Sequence, residues 1–473
     1  MNPSVLVNAA ADTMPANSAA AANAPPGSES DIASRIERIP FCSWHIKTRL
    51  TIGVATFFEG FNILSISYVL PVLVPRWHLT PPQTGALIGV GFLGGAISTF
   101  ALGWIAERFG RKTAIVLSTA AYSVASLLGA FAWNFASMFV LRGLQGLGGG
   151  GEAPVAVTYI SELSRARGRG RFILLYEIIF PLGLLAAAVA GWWLVGHVAW
   201  QLMFVIGGLP ALVVLYLQRR IPESPRWLAA QGRQAEAAAV MDLIEHESEK
   251  AIGAPLPPVE PIAVAPIRLS FTRDLFGPVY LRRTLMAWAI CFTCYIMNFG
   301  IVGWLPTLYQ SQFHLSVDRS LSYSLVTTTA GLVGTVLCAF LIDIVGRRAW
   351  FALAFAASAA VMLWIWQGNT SSPEFLMIVG SIGYFFISTI SIGIYLYLPE
   401  IFPTRLRARA VSIASVWSTV AGIVGPGCIG LVLASWGLAG VFLGLGIVAV
   451  VGMLIAALFA VETRGRVLEE VSP

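Results

Sequence analysis

Apolar runs of about 20 residues recur along this chain, each long enough to carry a helix across a bilayer core of about 30 Å. Backbone polar groups inside lipid find no water, so only helices and closed barrels span it. Runs of this length select helices. Twelve are expected, at about 48–74, 82–106, 112–133, 136–163, 171–195, 199–218, 283–310, 320–343, 348–367, 373–399, 408–434 and 438–461. Only 11% of the 473 residues are charged and 57% are hydrophobic, too little polar surface for a soluble chain of this size. The fold class is an all-α membrane protein.

Charge sets the expected orientation. Of the 30 Lys and Arg residues, Arg76 and Arg319 fall in loops of one side and Arg142 lies inside a span, while the remaining 27 lie on the other side. Positively charged loops stay cytoplasmic, so both termini and the long loop at 219–282 are expected inside a bacterial-type inner membrane. The net charge of +6 then reflects topology and calls for no nucleic-acid partner. Residues 1–34 read as a disordered cytoplasmic tail without the charged start and apolar middle of a signal peptide. Within the long loop, AAQGRQAEAAAVMDLIEHE reads as an amphipathic helix on the membrane face. Trp192, Trp193, Trp364 and Trp366 are expected in the interfacial belt. The five cysteines are scattered; Cys291 and Cys294 sit within an apolar span and read as packing.

The chain repeats itself across the long loop. Glu107, Gly110 and Arg111 match Asp343, Gly346 and Arg347 at an offset of 236. Glu162 with Arg167, Arg169 and Arg171 matches Glu400 with Arg405, Arg407 and Arg409 at 238, and Glu223 matches Glu462 at 239. Three motifs at nearly one offset imply two parallel six-helix halves, 35–218 and 283–462, followed by a short tail at 463–473. Such halves place a solute site between them near the bilayer midplane.

The motifs GWIAERFGRK (103–112), Arg142-x-x-x-Gly146-x-Gly148-x-Gly150, PESPRWL (222–228), LPEIFPTRLRARA (398–410) and VETRGRVLEE (461–470) carry a resemblance. The sequence resembles the major facilitator superfamily, in its sugar-porter and organic-ion branches. With FFEGFN (57–62) after RIERIPFCSWHIKTRL, it is most similar to bacterial niacin and aromatic-acid transporters related to synaptic-vesicle-type proteins. The resemblance implies a secondary transporter that imports a small organic acid, nicotinate or a related aromatic carboxylate first, by alternating access with proton symport. A sugar or polyol symporter and an organic-cation exporter are the alternatives. No cofactor, no metal and no enzyme activity are expected, and the partners are a small solute, a proton and the bilayer around a monomer.

Charges inside spans point to the chemistry. An ionised side chain at the bilayer centre costs at least ~2.5–3.5 kcal/mol, so it faces a cavity or a partner. Glu59 lies mid-way along the first span, with Asn62 on the same face. In the resembling sugar porters an acid aligned with Asn62 pairs with the arginine aligned with Arg142. Here that position is an amide, so Glu59 is expected to carry the proton with Arg142 tuning it and Glu177 as a second coupling acid. Glu152 is expected to bond backbone freed by Pro154. Solute contacts are expected from Asn62, Gln145, Tyr176 and Phe180 in the first half and from Tyr295, Asn298, Trp304, Tyr384, Tyr395 and Trp417 in the second. Gate pairs on the cytoplasmic side are expected among Glu107, Arg111, Glu162, Asp343, Arg347 and Glu400, with an acid of one loop meeting arginines of a neighbouring loop. The glycines of the fourth span read as close helix packing.

Overall fold

The computed structural model describes residues 25–165, 176–261, 275–278, 280–368, 372–402 and 404–464. Its helices in chain order are α1 (Glu29–Glu37), α2 (Ser43–Trp77), α3 (Pro81–Phe109), α4 (Arg111–Gly129), α5 (Phe135–Gly149), α6 (Glu152–Glu162), α7 (Ile179–Val195), α8 (Gln201–Gly207), α9 (Pro210–Arg220), α10 (Pro225–Ala230), α11 (Gln234–Ile252), α12 (Leu281–Phe313), α13 (Val317–Val345), α14 (Arg347–Trp366), α15 (Pro373–Ile401) and α16 (Thr404–Phe459). Among the described residues, eight helices are long and apolar enough to cross a membrane. One of them, α16, is two passes joined at Gly437, whose φ of 68° suits glycine. The other three passes are α7 and the broken pairs α5–α6 and α8–α9, which completes the twelve.

The breaks have local causes. Pro154 has no N–H for the carbonyl of Gly150, and the Thr99 hydroxyl donates to that carbonyl instead, at 3.0 Å. The expected single helix at 136–163 therefore divides at Gly150–Gly151. Thr99, not Glu152, satisfies the freed backbone. Pro210 opens α9 and ends α8 in the same way.

Within the first half α2 packs on α7, and α5 packs on both α3 and α4; within the second, α16 packs on α12 and α14, and α13 packs on α15. Between halves α3 meets α16, α7 meets α13 and α2 meets α12. We call the end bearing Arg111 and Arg347 the basic end. The named contacts between halves cluster toward the opposite, far end. A Cβ on Gly85 would lie 2.4 Å from the Pro426 carbonyl oxygen, and one on Gly430 would lie 2.5 Å from that of Pro81, so the two backbones touch. Tyr68 and Thr328 share a hydrogen bond of 3.2 Å there, and His197 faces Asp318 at 3.8 Å. Trp192, Trp193, Trp364 and Trp366 are exposed.

At the basic end, order begins earlier than the sequence led us to expect. Ser28 caps α1, and Ile32 and Ile36 are buried, so residues 29–34 are helical and docked. They pack with Trp227 and with Ala237, Met241 and Ile244, the buried residues of α11. Arg35 meets Glu245 at 2.7 Å, and so does Arg38. Burial works to raise the Glu245 carboxyl, but hydrogen bonds from Arg35 and Arg38 outweigh it and hold the group below the usual carboxylate range.

Candidate functional site

Three carboxyl groups from three passes meet between α2 and the helices beside it. Glu59 lies roughly 24 Å from the start of the 35-residue α2, close to its centre. It is 8% exposed, and Glu152 at the head of α6 is fully buried. The Glu59 and Glu152 carboxyls are in hydrogen-bonding contact, with Glu177 close by. Two carboxylates are both acceptors, so a hydrogen bond between them requires a proton on one of the two. Thr56, one turn before Glu59 on the same face, donates to Glu152 at 3.0 Å and shares a short hydrogen bond with the Tyr176 hydroxyl. The second oxygen of Glu59 has no protein partner among the described residues. Glu59 and Glu177 both lie within electrostatic range of Tyr395 on the other half. Tyr395 is 46% exposed, and its hydroxyl receives a hydrogen bond from the Tyr295 hydroxyl at 3.3 Å.

Arg142 does not reach the Glu59 carboxyl. Its Nη1 donates to the Asn62 carbonyl at 3.0 Å and to Gln145 Oε1 at 2.5 Å. The Asn62 side chain is committed elsewhere: Nδ2 donates to the Gly207 carbonyl at 2.9 Å, and Oδ1 accepts from Gln145 Nε2 at 2.7 Å and from the Ser126 hydroxyl at 3.0 Å. Arg142 is 4% exposed, and its Nε has no partner among the described residues.

The second half contributes a run of aromatic rings. Phe299 lies between Phe92, with centroids 4.3 Å apart, and Tyr295, at 5.4 Å. Asn298 donates to Ser391 at 3.3 Å. Trp417 is half-buried against Trp288 and Phe292, with centroids 5.5 and 6.0 Å away. Trp304 and Tyr384 stand apart from the acids: Trp304 donates to the Pro426 carbonyl at 3.1 Å, and Tyr384 fills the space beside Gly331. Phe180 stands at the α7–α2 contact, its carbonyl oxygen 2.5 Å from where a Cβ of Gly60 would sit. Sequence reading passed over Thr56, Ser126 and the Glu59–Glu152 contact. Thr56 was legible from its i−3 spacing to Glu59, but the Glu152 contact spans 93 residues and had no local signal.

At the basic end the repeated motifs build the same device twice, an arginine of one loop meeting an acid of the neighbouring loop within each half. Arg111 meets Glu162 at 2.9 Å, and Arg347 meets Glu400 at 3.0 Å and Asp343 at 2.6 Å. Backbone N–H groups at the start of α4 bind the Glu223 carboxylate, from Arg111 at 2.9 Å and Lys112 at 3.2 Å. Glu462 receives the corresponding bonds from Arg347 at 3.0 Å and Arg348 at 3.1 Å. Helix N-termini favour anions. The matched glycines follow from this geometry: Gly110 and Gly346 have φ of 101° and 98°, and a Cβ would strike Glu223 or Glu462 at 2.1 and 2.7 Å. Burial raises Glu223 despite its N–H donors; in Glu462 burial also opposes, but the N–H donors prevail and the group sits low. Glu107 instead faces a surface cleft of about 590 Å³ with Trp104, Arg108, Phe109 and Gln231. The arginines at 167, 169 and 171 lie outside the described residues.

Comparison with known proteins agrees with this architecture. The family model described as "Sugar (and other) transporter" matches residues 39–473. A niacin transporter of Acinetobacter baylyi is 33% identical over 446 residues, covering 93% of this chain and 99% of the relative. A synaptic vesicle 2-related protein of Xenopus laevis is 27% identical, covering 93% of this chain and 82% of that one. The crystal structure of a D-xylose–proton symporter superposes with a TM-score of 0.70 at 19% identity, over 89% of this chain and 99% of that one. The matching family, the niacin transporter and the symporter are transporters, not enzymes. With the motifs of both halves in place around a central acid cluster, the chain belongs to the sugar (and other) transporter family.

Proposed function

We infer that this transporter imports a small organic acid, nicotinate or a related aromatic carboxylate, together with a proton. The basic end is cytoplasmic on the positive-inside rule, so both termini face the cytoplasm. The contacts at the far end then make this an inward-facing state, and rocking of the halves exposes the site alternately. The observation that carries the reading is the buried Glu59–Glu152 contact within electrostatic range of the half-exposed Tyr395 of the other half. It can take up a proton from one side and release it to the other. The niacin transporter relative supports an aromatic acid as solute. A hydroxylated solute is the second reading, favoured by the amide network of Asn62 and Gln145.

The test is uptake of labelled nicotinate into proteoliposomes under an inward pH gradient, with and without a protonophore, against xylose as the competing solute. Accumulation of nicotinate that collapses with the protonophore supports the reading. Xylose accumulation alone overturns it in favour of the second.

The Arg111–Glu162 and Arg347–Glu400 pairs act as gate supports, holding the basic ends of the helices that rock. Replacing Arg111 by Gln removes one of them and leaves the distant solute site intact. The expected result is a lower maximal uptake rate with unchanged solute affinity, read as Vmax against Kd. Unchanged turnover would remove the gate role.

A further inference from the structure

Arg142 is a cation deep in the membrane whose hydrogen bonds go to neutral groups: the Asn62 carbonyl and the Gln145 amide oxygen. Isolated charges in low dielectric are costly and are found with counter-ions. Among the described residues, no carboxylate bonds to it. Its Nη2 lies over Gly91, where a Cβ would come within 2.9 Å, and Gly91 is only half-buried. The next residue, Phe92, packs at a tilt across the interface against Phe299, which in turn meets Tyr295. The partly satisfied guanidinium thus stands beside Gly91, whose chain neighbour Phe92 begins an aromatic row that crosses between the halves.

We propose that Arg142 is the counter-cation of the transported solute: the solute carboxylate binds the guanidinium beside Gly91 while its ring lies along Phe92, Phe299 and Tyr295. This rests on the organic-acid reading above and adds the residue that selects the acid. The ligand class is an aromatic monocarboxylate. Its neutral amide is excluded because it leaves the buried cation unpaired. The Asn62 side chain is uncharged and bonds Gly207, Ser126 and Gln145, so it supplies no anion and leaves the guanidinium free for the solute. A guanidinium near a row of tilted rings suits an aromatic acid, whose carboxylate and ring lie on one rigid frame so that each can find its partner.

The experiment measures binding of nicotinate, benzoate, nicotinamide and benzamide to the purified full-length chain, by thermal shift and calorimetry. The wild type is expected to bind both acids and neither amide. Arg142→Gln is expected to weaken the acids by about tenfold or more, the loss of a charge-assisted bond, and to erase the preference over amides; Arg142→Lys retains part of it. A merely structural arginine would lower the melting point without moving the acid-to-amide ratio. Should Arg142→Gln fail to fold, Asn62→Asp keeps the arginine and supplies an internal anion, which is expected to compete with the acids to a similar extent. Acid affinity and selectivity at wild-type level in either folded variant overturn the proposal while leaving the organic-acid reading in place. A wild type that binds no carboxylate overturns both.

Discussion

Replacing Glu59 by Gln is expected to abolish concentrative uptake while leaving solute exchange intact. Glutamine keeps the shape of a protonated glutamate and still donates a hydrogen bond to Glu152, so the buried contact survives. It cannot release a proton, so the pH gradient no longer drives the cycle. One pH unit is worth 1.36 kcal/mol per proton, or about tenfold accumulation. The wild type under such a gradient is therefore expected to accumulate solute up to about tenfold for each coupled proton, and the variant to equilibrate without accumulating. Counterflow of labelled against unlabelled solute should persist, because that exchange needs the halves to rock but no net proton movement. Uphill uptake at wild-type level in Glu59→Gln would dismiss the acid cluster as the coupling site. Thr56, which braces Glu152, is expected to matter less, since its hydroxyl orients the acid and carries no charge.

Replacing Gly146 by Ala is expected to prevent the first half from packing. A Cβ there would sit 2.0 Å from the Gly91 carbonyl oxygen, and one on Gly150 would sit 2.1 Å from the Gly95 Cα. Both partners are backbone, so no side chain can yield and α3 must move away from α5. Overpacking of this kind costs about 1–3 kcal/mol or more, and the melting temperature of the purified protein is expected to fall by on the order of 5 °C or more. The same substitution at Gly143, whose Cβ would meet Val90 at an ordinary 3.5 Å, should be tolerated, as should one at Gly444, which has open space. Equal stability of the Gly146 and Gly143 variants would show that α3 and α5 do not meet this closely. The displacement would also reach Arg142, which lies on α5 with its Nη2 over Gly91.

The charged motifs at the basic end were the most legible part of the site. Arg111, Glu162 and Glu223 recur as Arg347, Glu400 and Glu462, and the structure brings each set together through one repeated geometry, with a glycine at the same place. What the sequence could not supply was which half each pair served: an acid and an arginine on different loops have the same spacing whether they close a gate or brace a bundle. The interior was less legible. Glu59, Arg142 and Glu177 stand out as charges within apolar runs, but their partners depend on how each helix is rotated. Arg142 reads as the natural mate of an acid on α2, yet its bonds go to a carbonyl and an amide. Trp304 and Tyr384 read as pocket-lining rings, and they turn out to brace Pro426 and cover Gly331.

The amino-acid order alone determined the twelve crossings, the two matched halves and the family. These rest on local requirements: a helix must satisfy its own backbone in lipid, and a run of given length must hide its apolar surface. Only the tertiary structure decided that Glu59 faces Glu152 and that Arg142, among the described residues, bonds to no acid. Those contacts join residues some 80 to 93 positions apart in sequence, and they are set by how closely glycine-lined helices approach and how each is turned about its axis.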